Sequence, residues 1–194
     1  MSPILTGILA SQITGHLSTN SYESIATATP AGSSTFTWSS IPTTYKHLQI
    51  RCIARTTDAA VDTYYGQIRF NGDTGTNYWG HMLTGNGASA TGNFNSSANS
   101  KLLWGYTIPT AGDGGTFSGG VIDILDYQDT NKYKTMRALS GYDTNGTQND
   151  TYVKGGIVQL CSGVWNNTVA VTSITIIGGT FSTGTQFALY GIKG

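Results

Sequence analysis

The feature that most constrains this chain is a succession of short runs in which apolar and polar residues alternate. In one run, Leu48, Ile50 and Cys52 take every second position. Successive side chains of a β-strand point to opposite faces of a sheet, so this alternation predicts strands with one buried face. Runs with strand-like composition lie at residues 22–29, 34–38, 46–55, 64–71, 77–84, 101–107, 117–126, 133–140, 152–161, 171–177 and 185–193.

Turn signals separate these runs. Asn71-Gly72, Asn86-Gly87, Asp113-Gly114 and Asn145-Gly146 are dipeptides that accept the positive φ angles of tight hairpins. About ten short strands at this spacing predict an all-β fold, specifically an antiparallel two-sheet β-sandwich of the jelly-roll type. The tract at residues 85–100, rich in Asn, Ser, Ala and Gly, is predicted to be a long loop.

The composition agrees with a β-sandwich and limits the partners. Gly, Thr, Ser and Asn supply 86 of the 194 residues, and charged residues make up only 10%. Thr favours strands, whereas Gly and Asn favour turns. A formal net charge of zero offers little attraction to nucleic acid, and no segment approaches the roughly 18 apolar residues of a membrane helix. We therefore expect neither nucleic acid nor a membrane as a partner.

Residues 1–21 differ from the rest and are predicted to form an N-terminal arm ahead of a β-sandwich domain at residues 22–194. Gly7 and Gly15 interrupt the arm, and it is too short to be a stable isolated helix. Its apolar side chains need a partner surface, which is either the chain's own domain or a neighbouring subunit. These side chains are Ile4, Leu5, Ile8, Leu9, Ile13 and Leu17.

The sequence offers little material for catalysis. Glu23 is the only glutamate, and three dispersed histidines show no His-x-x-x-His spacing that would bind a metal. Asp73-Thr74-Gly75 matches the aspartic protease triplet, but it lies among turn-forming residues, which favours a capped turn. We therefore expect no enzymatic activity, no catalytic residues and no cofactor.

Metal binding and a disulfide are the other chemical options. Asp123, Asp126 and Asp129 carry the oxygens that Ca²⁺ prefers, but strand and turn positions need not bring them together. Hydrogen bonds to the backbone are the favoured interpretation, so we expect no metal site. Cys52 and Cys161 each lie in an apolar run, and whether they pair is left open by their spacing.

Aromatic residues are the remaining resource for binding. Aromatic rings on a β-sandwich can stack on sugars, but they also fill cores and subunit interfaces. For this chain a place in the core or in an interface is the favoured interpretation. The candidates are Tyr78, Trp79, Trp104, Tyr106 and Trp165.

Three stretches carry a resemblance to known proteins, and a fourth lies between them. The first stretch comprises residues 4–13 (Ile-Leu-Thr-Gly-Ile-Leu-Ala-Ser-Gln-Ile) with residues 21–26 (Ser-Tyr-Glu-Ser-Ile-Ala). The second comprises residues 122–127 (Ile-Asp-Ile-Leu-Asp-Tyr) with residues 130–135 (Thr-Asn-Lys-Tyr-Lys-Thr). The third is the ending at residues 187–194 (Phe-Ala-Leu-Tyr-Gly-Ile-Lys-Gly), and the stretch between them is residues 41–48 (Ile-Pro-Thr-Thr-Tyr-Lys-His-Leu). Together these stretches resemble structural proteins of tailed bacteriophages, especially phages of cyanobacterial and aquatic hosts.

The resemblance implies a virion structural protein, and a capsid cement or decoration protein is the expected type. Such a protein would lie on the capsid exterior as a homotrimer and bridge capsomers. Its partners would be the major capsid protein and its own sister subunits, with residues 4–17 as the clasp. The alternative is a module of a tail spike or fibre that binds host glycans.

Overall fold

The computed structural model describes residues 21–58, 64–109, 115–143 and 155–194, and for residues 94–98 it describes the backbone alone. Within these ranges no helix has the length and hydropathy needed to cross a membrane. The strands are β1 (Tyr22–Ala28), β2 (Thr35–Trp38), β3 (His47–Ala54), β4 (Tyr64–Phe70), β5 (Tyr78–Gly85), β6 (Ala90–Asn99), β7 (Leu102–Thr107), β8 (Ser118–Leu125), β9 (Lys134–Asp143), β10 (Gly156–Trp165), β11 (Ile174–Ile177) and β12 (Gln186–Ile192).

These strands form two antiparallel sheets. The larger sheet has the order β1-β12-β3-β8-β9-β10-β5-β6, and the smaller one has the order β2-β11-β4-β7. The prediction of an all-β, antiparallel two-sheet β-sandwich is therefore confirmed. The jelly-roll topology stays a prediction. One observation supports it: the first four strands, β1 to β4, lie alternately in the larger and the smaller sheet.

The core lies between the two sheets and is rich in aromatic rings. Trp104 packs edge-on against Phe187, with ring centroids 6.0 Å apart, and Tyr78 stacks on Trp165 at 6.2 Å. The predicted alternation of β3 places Leu48 inside, with an exposed fraction of 0%. Apolar side chains from both sheets thus exclude water from one continuous cluster.

The predicted loop at residues 85–100 is wrong. Most of this tract is β6, which pairs antiparallel with β5. The Asn86-Gly87 signal does form the connecting turn, since the Asn86 N–H donates to the Ser89 carbonyl at 3.2 Å and Gly87 has a φ of 82°. Asn, Ser and Gly have low strand propensity, so the neighbouring strand and not local preference determines this conformation.

Several other predictions differ from the structure or fall outside the described residues. β10 ends at Trp165, beyond the predicted end of the run at residues 152–161. Residues 1–20 of the predicted arm, with Ile4, Leu5, Ile8, Leu9, Ile13 and Leu17, lie outside the described residues, as do the turn signals at Asp113-Gly114 and Asn145-Gly146.

Candidate interaction surface

The outer face of the larger sheet carries a row of exposed aliphatic side chains. Val121 on β8 lies beside Leu139 on β9, and Leu139 lies beside Leu160 on β10. Leu160 in turn lies beside Leu83 on β5. Directly opposite residues of antiparallel strands bring their side chains into contact, so the four form one continuous apolar row across four strands.

A second row runs parallel to the first. Ile53 on β3 and Val158 on β10 are joined in register through Gly119 and Gly141, which have no side chains. The two rows together make a flat surface, here called the apolar face, whose members are 38% to 62% exposed. These members are Ile53, Leu83, Val121, Leu139, Val158 and Leu160.

On β10 the usual arrangement of buried apolar and exposed polar side chains is reversed. Val158 and Leu160 point outward, whereas Gln159 between them is completely buried. The Gln159 Oε1 accepts a hydrogen bond from the Tyr106 N–H at 2.7 Å, and its Nε2 lies 2.9 Å from the Met82 sulfur. A sheet face that meets only water would normally carry polar residues. The apolar face is therefore a candidate interaction surface.

The size of the apolar face is consistent with that role. Six aliphatic residues at about half exposure present on the order of 500 Å² of apolar surface, which is in the range of the largest and often functional patch on a monomer. Isolated exposed apolar residues need no explanation, but a contiguous group of this size does.

A polar rim borders the apolar face. Arg51 donates to the Gln49 amide oxygen at 3.0 Å, and Gln49 donates to the Asp123 carboxylate at 2.9 Å. The Arg51 guanidinium also lies 5.5 Å from the centre of the Tyr190 ring. Arg137 is the register partner of Asp123 on the next strand. An apolar centre with a hydrogen-bonded polar rim is the usual organisation of a protein–protein interface.

The predicted aromatic candidates do not form one platform. Tyr78, Trp104 and Trp165 are core side chains with exposed fractions of 0–1%, so they present no ring to a ligand. Trp79 is 42% exposed on the outer side of β5, beyond the apolar face. Tyr106 is partly buried on β7. Only Trp79 and Tyr106 thus remain available at the surface among these five.

A cleft beside Tyr106 brings in Tyr65, which sequence reasoning missed. The two tyrosines are register partners on β4 and β7, with ring centroids 5.1 Å apart. The cleft has a volume of about 410 Å³, and Gln67, Asn93 and Asn99 also line it. Burial, with a smaller contribution from Tyr65, raises the pKa of Tyr106 to about 12, so its phenol is neutral at pH 7. The alternation of Tyr65 and Gln67 with buried Gly66 was the signal that could have indicated this surface.

The aspartic protease-like triplet is a turn, as predicted. One Asp73 carboxylate oxygen accepts from the Gly75 N–H at 2.8 Å. The other accepts from Asn77 at 2.9 Å and from the Trp165 indole at 2.7 Å. Burial raises the pKa of Asp73, but the hydrogen bonds outweigh this effect and hold it below its usual value. Both oxygens thus serve to fix the connection between β4 and β5.

The three aspartates considered for Ca²⁺ do not share one common partner. Asp123 bonds to Gln49 on the sheet, whereas Asp126 and Asp129 both contact the Lys132 ammonium, at 3.0 Å and 3.3 Å. Hydrogen bonding to Lys132 lowers the pKa of Asp126, and a backbone hydrogen bond from residue 131 lowers that of Asp129. Among the described residues, no group of three His, Cys, Asp or Glu side chains is placed to hold a metal ion.

The cysteines lie apart within the core. Cys52 and Cys161 are both free thiols, on strands that β8 and β9 separate. Burial raises the pKa of each to about 12, so neither is a thiolate at neutral pH. The disulfide that the sequence left open is therefore absent from this structure.

Comparison with known proteins gives no match in sequence and a weak similarity in structure. No family model matches the sequence, and no curated protein matches it. Among solved structures, the chain is weakly similar to the CBM2 module of the evolved Dit of Lactobacillus casei BL23 phage J-1. The match has 12% sequence identity and a TM-score of 0.23, and it covers 82% of this chain and 70% of that chain. A TM-score of this size carries no argument about fold or function.

Proposed function

We propose that this chain is a structural protein of a phage particle, and specifically a capsid decoration protein that adheres to the shell. The observation that carries the proposal is the apolar face, which covers five neighbouring strands on the outside of the larger sheet. A rigid sheet presents this surface without any ordering of loops, so little conformational entropy is lost on binding.

Energetics support adhesion through this face. Covering about 500 Å² of apolar surface contributes on the order of 12 kcal/mol before the costs of association are subtracted. The rim contains Arg51, Arg137 and Asp123, so charges of both signs lie along one edge of the apolar centre. A mixed rim suits a protein surface and offers no concentrated positive charge for nucleic acid.

The sequence resemblance supports the identity of the partner. The four stretches of sequence resemble structural proteins of tailed phages. Among these, decoration proteins adhere to the major capsid protein on the capsid exterior. The proposal therefore includes the major capsid protein as the occupant of the apolar face. It also includes a homotrimer, with residues 4–17 of the arm as an additional clasp.

Location in the particle is the first test. Electron microscopy of purified virions, with an antibody against this chain as the label, should show the protein on the capsid surface at symmetry-related positions. Density confined to the tail would overturn the decoration assignment.

A second test addresses the face itself. Shells that lack this protein are incubated with the purified chain, and the bound fraction is measured by sedimentation. The double variant Leu139→Glu/Leu160→Glu should bind about 100-fold more weakly, because apolar contacts are lost and two carboxylates would be buried. The matched control is Thr135→Glu, which adds a carboxylate to the same outer side of β9 outside the apolar face.

Two outcomes of this second test would contradict the proposal. Unchanged shell binding by a folded double variant would show that the apolar face does not contact the shell. A double variant that loses its oligomeric state in analytical ultracentrifugation but still binds shells would assign the face to contacts between copies of this chain.

A further inference from the structure

We propose that the cleft beside Tyr65 and Tyr106 is a binding site for a neutral saccharide, a role separate from shell adhesion. The cleft lies between the β4–β7 pair of the smaller sheet and the β5–β6 hairpin. Asn93, which lines it, is the register partner of the inward-facing Met82, whereas Leu83 of the apolar face points to the other side of β5. His81 and Ser162 also line the cleft and lie beside Leu83 and Leu160, so the cleft borders the apolar face but contains none of its six members.

The aromatic part of the site is preorganised. Tyr65 is 53% exposed, and its ring meets that of Tyr106 at an interplanar angle of 71°. This edge-to-face contact holds the Tyr65 ring in place while more than half of the residue remains open to a ligand. Sugar rings present C–H groups on one face, and an exposed aromatic ring is a surface on which they pack.

The polar part of the site matches hydroxyl groups. Side-chain amides of Gln67, Asn93 and Asn99 line the cleft, and each amide both donates and accepts hydrogen bonds. A sugar hydroxyl has the same dual capacity, so one amide can satisfy it in both roles.

Asn99 supplies an independent indication of a ligand. Its Nδ2 is buried and has no hydrogen-bond partner among the described residues. A buried donor without a partner is unfavourable and calls for an explanation. Asn99 lines the cleft, so a ligand hydroxyl bound there is the acceptor that we propose for this group.

The charge and size of the cleft narrow the ligand class. Among the described residues that line the cleft there is no Asp, Glu, Lys or Arg, and the His81 imidazole is the one group that could become cationic, so the cleft has no permanent charge for a phosphate, a sulfate or an acidic sugar. The volume of about 410 Å³ lies within the range of small-molecule sites. A neutral mono- or disaccharide unit fits these limits.

The test uses the full-length chain and isothermal titration calorimetry. The probes are cellobiose, maltose, lactose and chitobiose as neutral disaccharides, with sialyllactose and a heparin disaccharide as charged ones. We expect at least one neutral probe to bind and neither charged probe to bind more tightly. Absence of binding by every neutral probe, or a preference for a charged one, would overturn the proposal.

Variants then assign the binding to the cleft. Tyr65→Ala should weaken binding of the neutral probe about tenfold, because the exposed ring surface is lost. The control is Tyr133→Ala, which removes a tyrosine of similar exposure, 55%, that does not line the cleft, and should leave the affinity unchanged. Because Tyr65 is exposed, its replacement leaves the core intact. Wild-type affinity in Tyr65→Ala would refute the site even if the shell proposal holds.

Discussion

Lys134 is a charged residue whose side chain is buried inside the described fold. It lies on the inner side of β9 with an exposed fraction of 0%. Its ammonium donates to the carbonyls of Asp129, Lys132 and Thr168, the last at 2.9 Å. Burial lowers the pKa of Lys134, and the nearby Asp129 and Asp126 carboxylates oppose that effect. One buried cation thus ties the β8–β9 turn to the segment that follows β10.

Replacing this lysine should destabilise the fold strongly. In Lys134→Met three carbonyls lose their donor, and we expect the free energy of unfolding to fall by about 3 kcal/mol. Equilibrium denaturation in urea measures the change. The control is Lys132→Met, which removes a solvent-exposed ammonium and should have a much smaller effect. Equal stability of Lys134→Met and the wild type would refute this structural role.

Asp73 predicts how stability depends on pH. Its pKa in the folded protein lies below its usual value, so the unfolded chain binds protons more readily than the folded one. The stability that Asp73 contributes is complete above its unfolded pKa, near 4, and is lost as the pH falls through the folded pKa. We therefore expect the free energy of unfolding to decrease as the pH falls below about 5.

The variant Asp73→Asn isolates this contribution. It cannot titrate, so denaturation curves measured across the same pH range should show a smaller decrease than those of the wild type. Part of the decrease should persist, because the pKa values of Asp126 and Asp129 are lowered as well. Identical pH profiles for variant and wild type would contradict the role of Asp73.

At the scale of a single element, β10 combines two surfaces of different function. Its inner side contributes Ile157, Cys161 and Trp165 to the cores, and its outer side contributes Val158 and Leu160 to the apolar face. Both sides are therefore largely apolar, which is typical of a strand that is covered on both faces. The smaller sheet covers one side, and the proposed shell partner covers the other.

This arrangement predicts losses of stability of different size for similar substitutions on the two sides of β10. Leu160→Thr should change the free energy of unfolding by no more than about 0.5 kcal/mol, because Leu160 is exposed in the isolated chain. Ile157→Thr, on the buried side of the same strand, should cost about 2 kcal/mol. Thermal and urea denaturation compare the two variants. A large loss of stability in Leu160→Thr would show that this side chain packs within the chain's own fold.

Sequence patterns predicted some of the strands and missed others. The alternation around Leu48 and Ile50 identified β3, because the polar residues Gln49 and Arg51 take the positions between the apolar ones. β6 had no such pattern: its Asn, Ser and Gly residues form a strand through hydrogen bonds with β5. A strand that depends on its neighbour leaves no local signal.

At the scale of the whole molecule, the described sandwich contains its own core. β1 begins at Tyr22, and the buried cluster is built from residues of the described ranges. The Ser21 carbonyl accepts from the Lys193 N–H at 3.2 Å, which holds the start of β1 beside the chain end. The described residues thus form a continuous buried cluster of their own.

Deletion of residues 1–20 should therefore separate folding from assembly. The trimmed chain should keep a cooperative thermal unfolding transition, since the buried cluster is retained. We expect it to lose binding to shells in the sedimentation experiment, because the proposal assigns Ile4, Leu5, Ile8, Leu9, Ile13 and Leu17 to the clasp. Unchanged binding by the trimmed chain would refute the role of the arm.

The sequence by itself determined the class of this protein. Alternating runs and Asn-Gly turns predict an all-β sandwich because they are local, and local dihedral preferences act within a few residues. The scarcity of Glu and His limits acid–base chemistry in the same direct way. The burial of Trp104 and Trp165 agrees with the core interpretation of the aromatic residues.

Only the tertiary structure decided where the candidate surfaces lie. Val121, Leu139, Leu160 and Leu83 are far apart in sequence, and each is an ordinary strand residue. They form one exposed row because strand order and register place them side by side, and these depend on long-range pairing. A period of two predicts that a strand has two sides, but the partner sheet decides which side is buried.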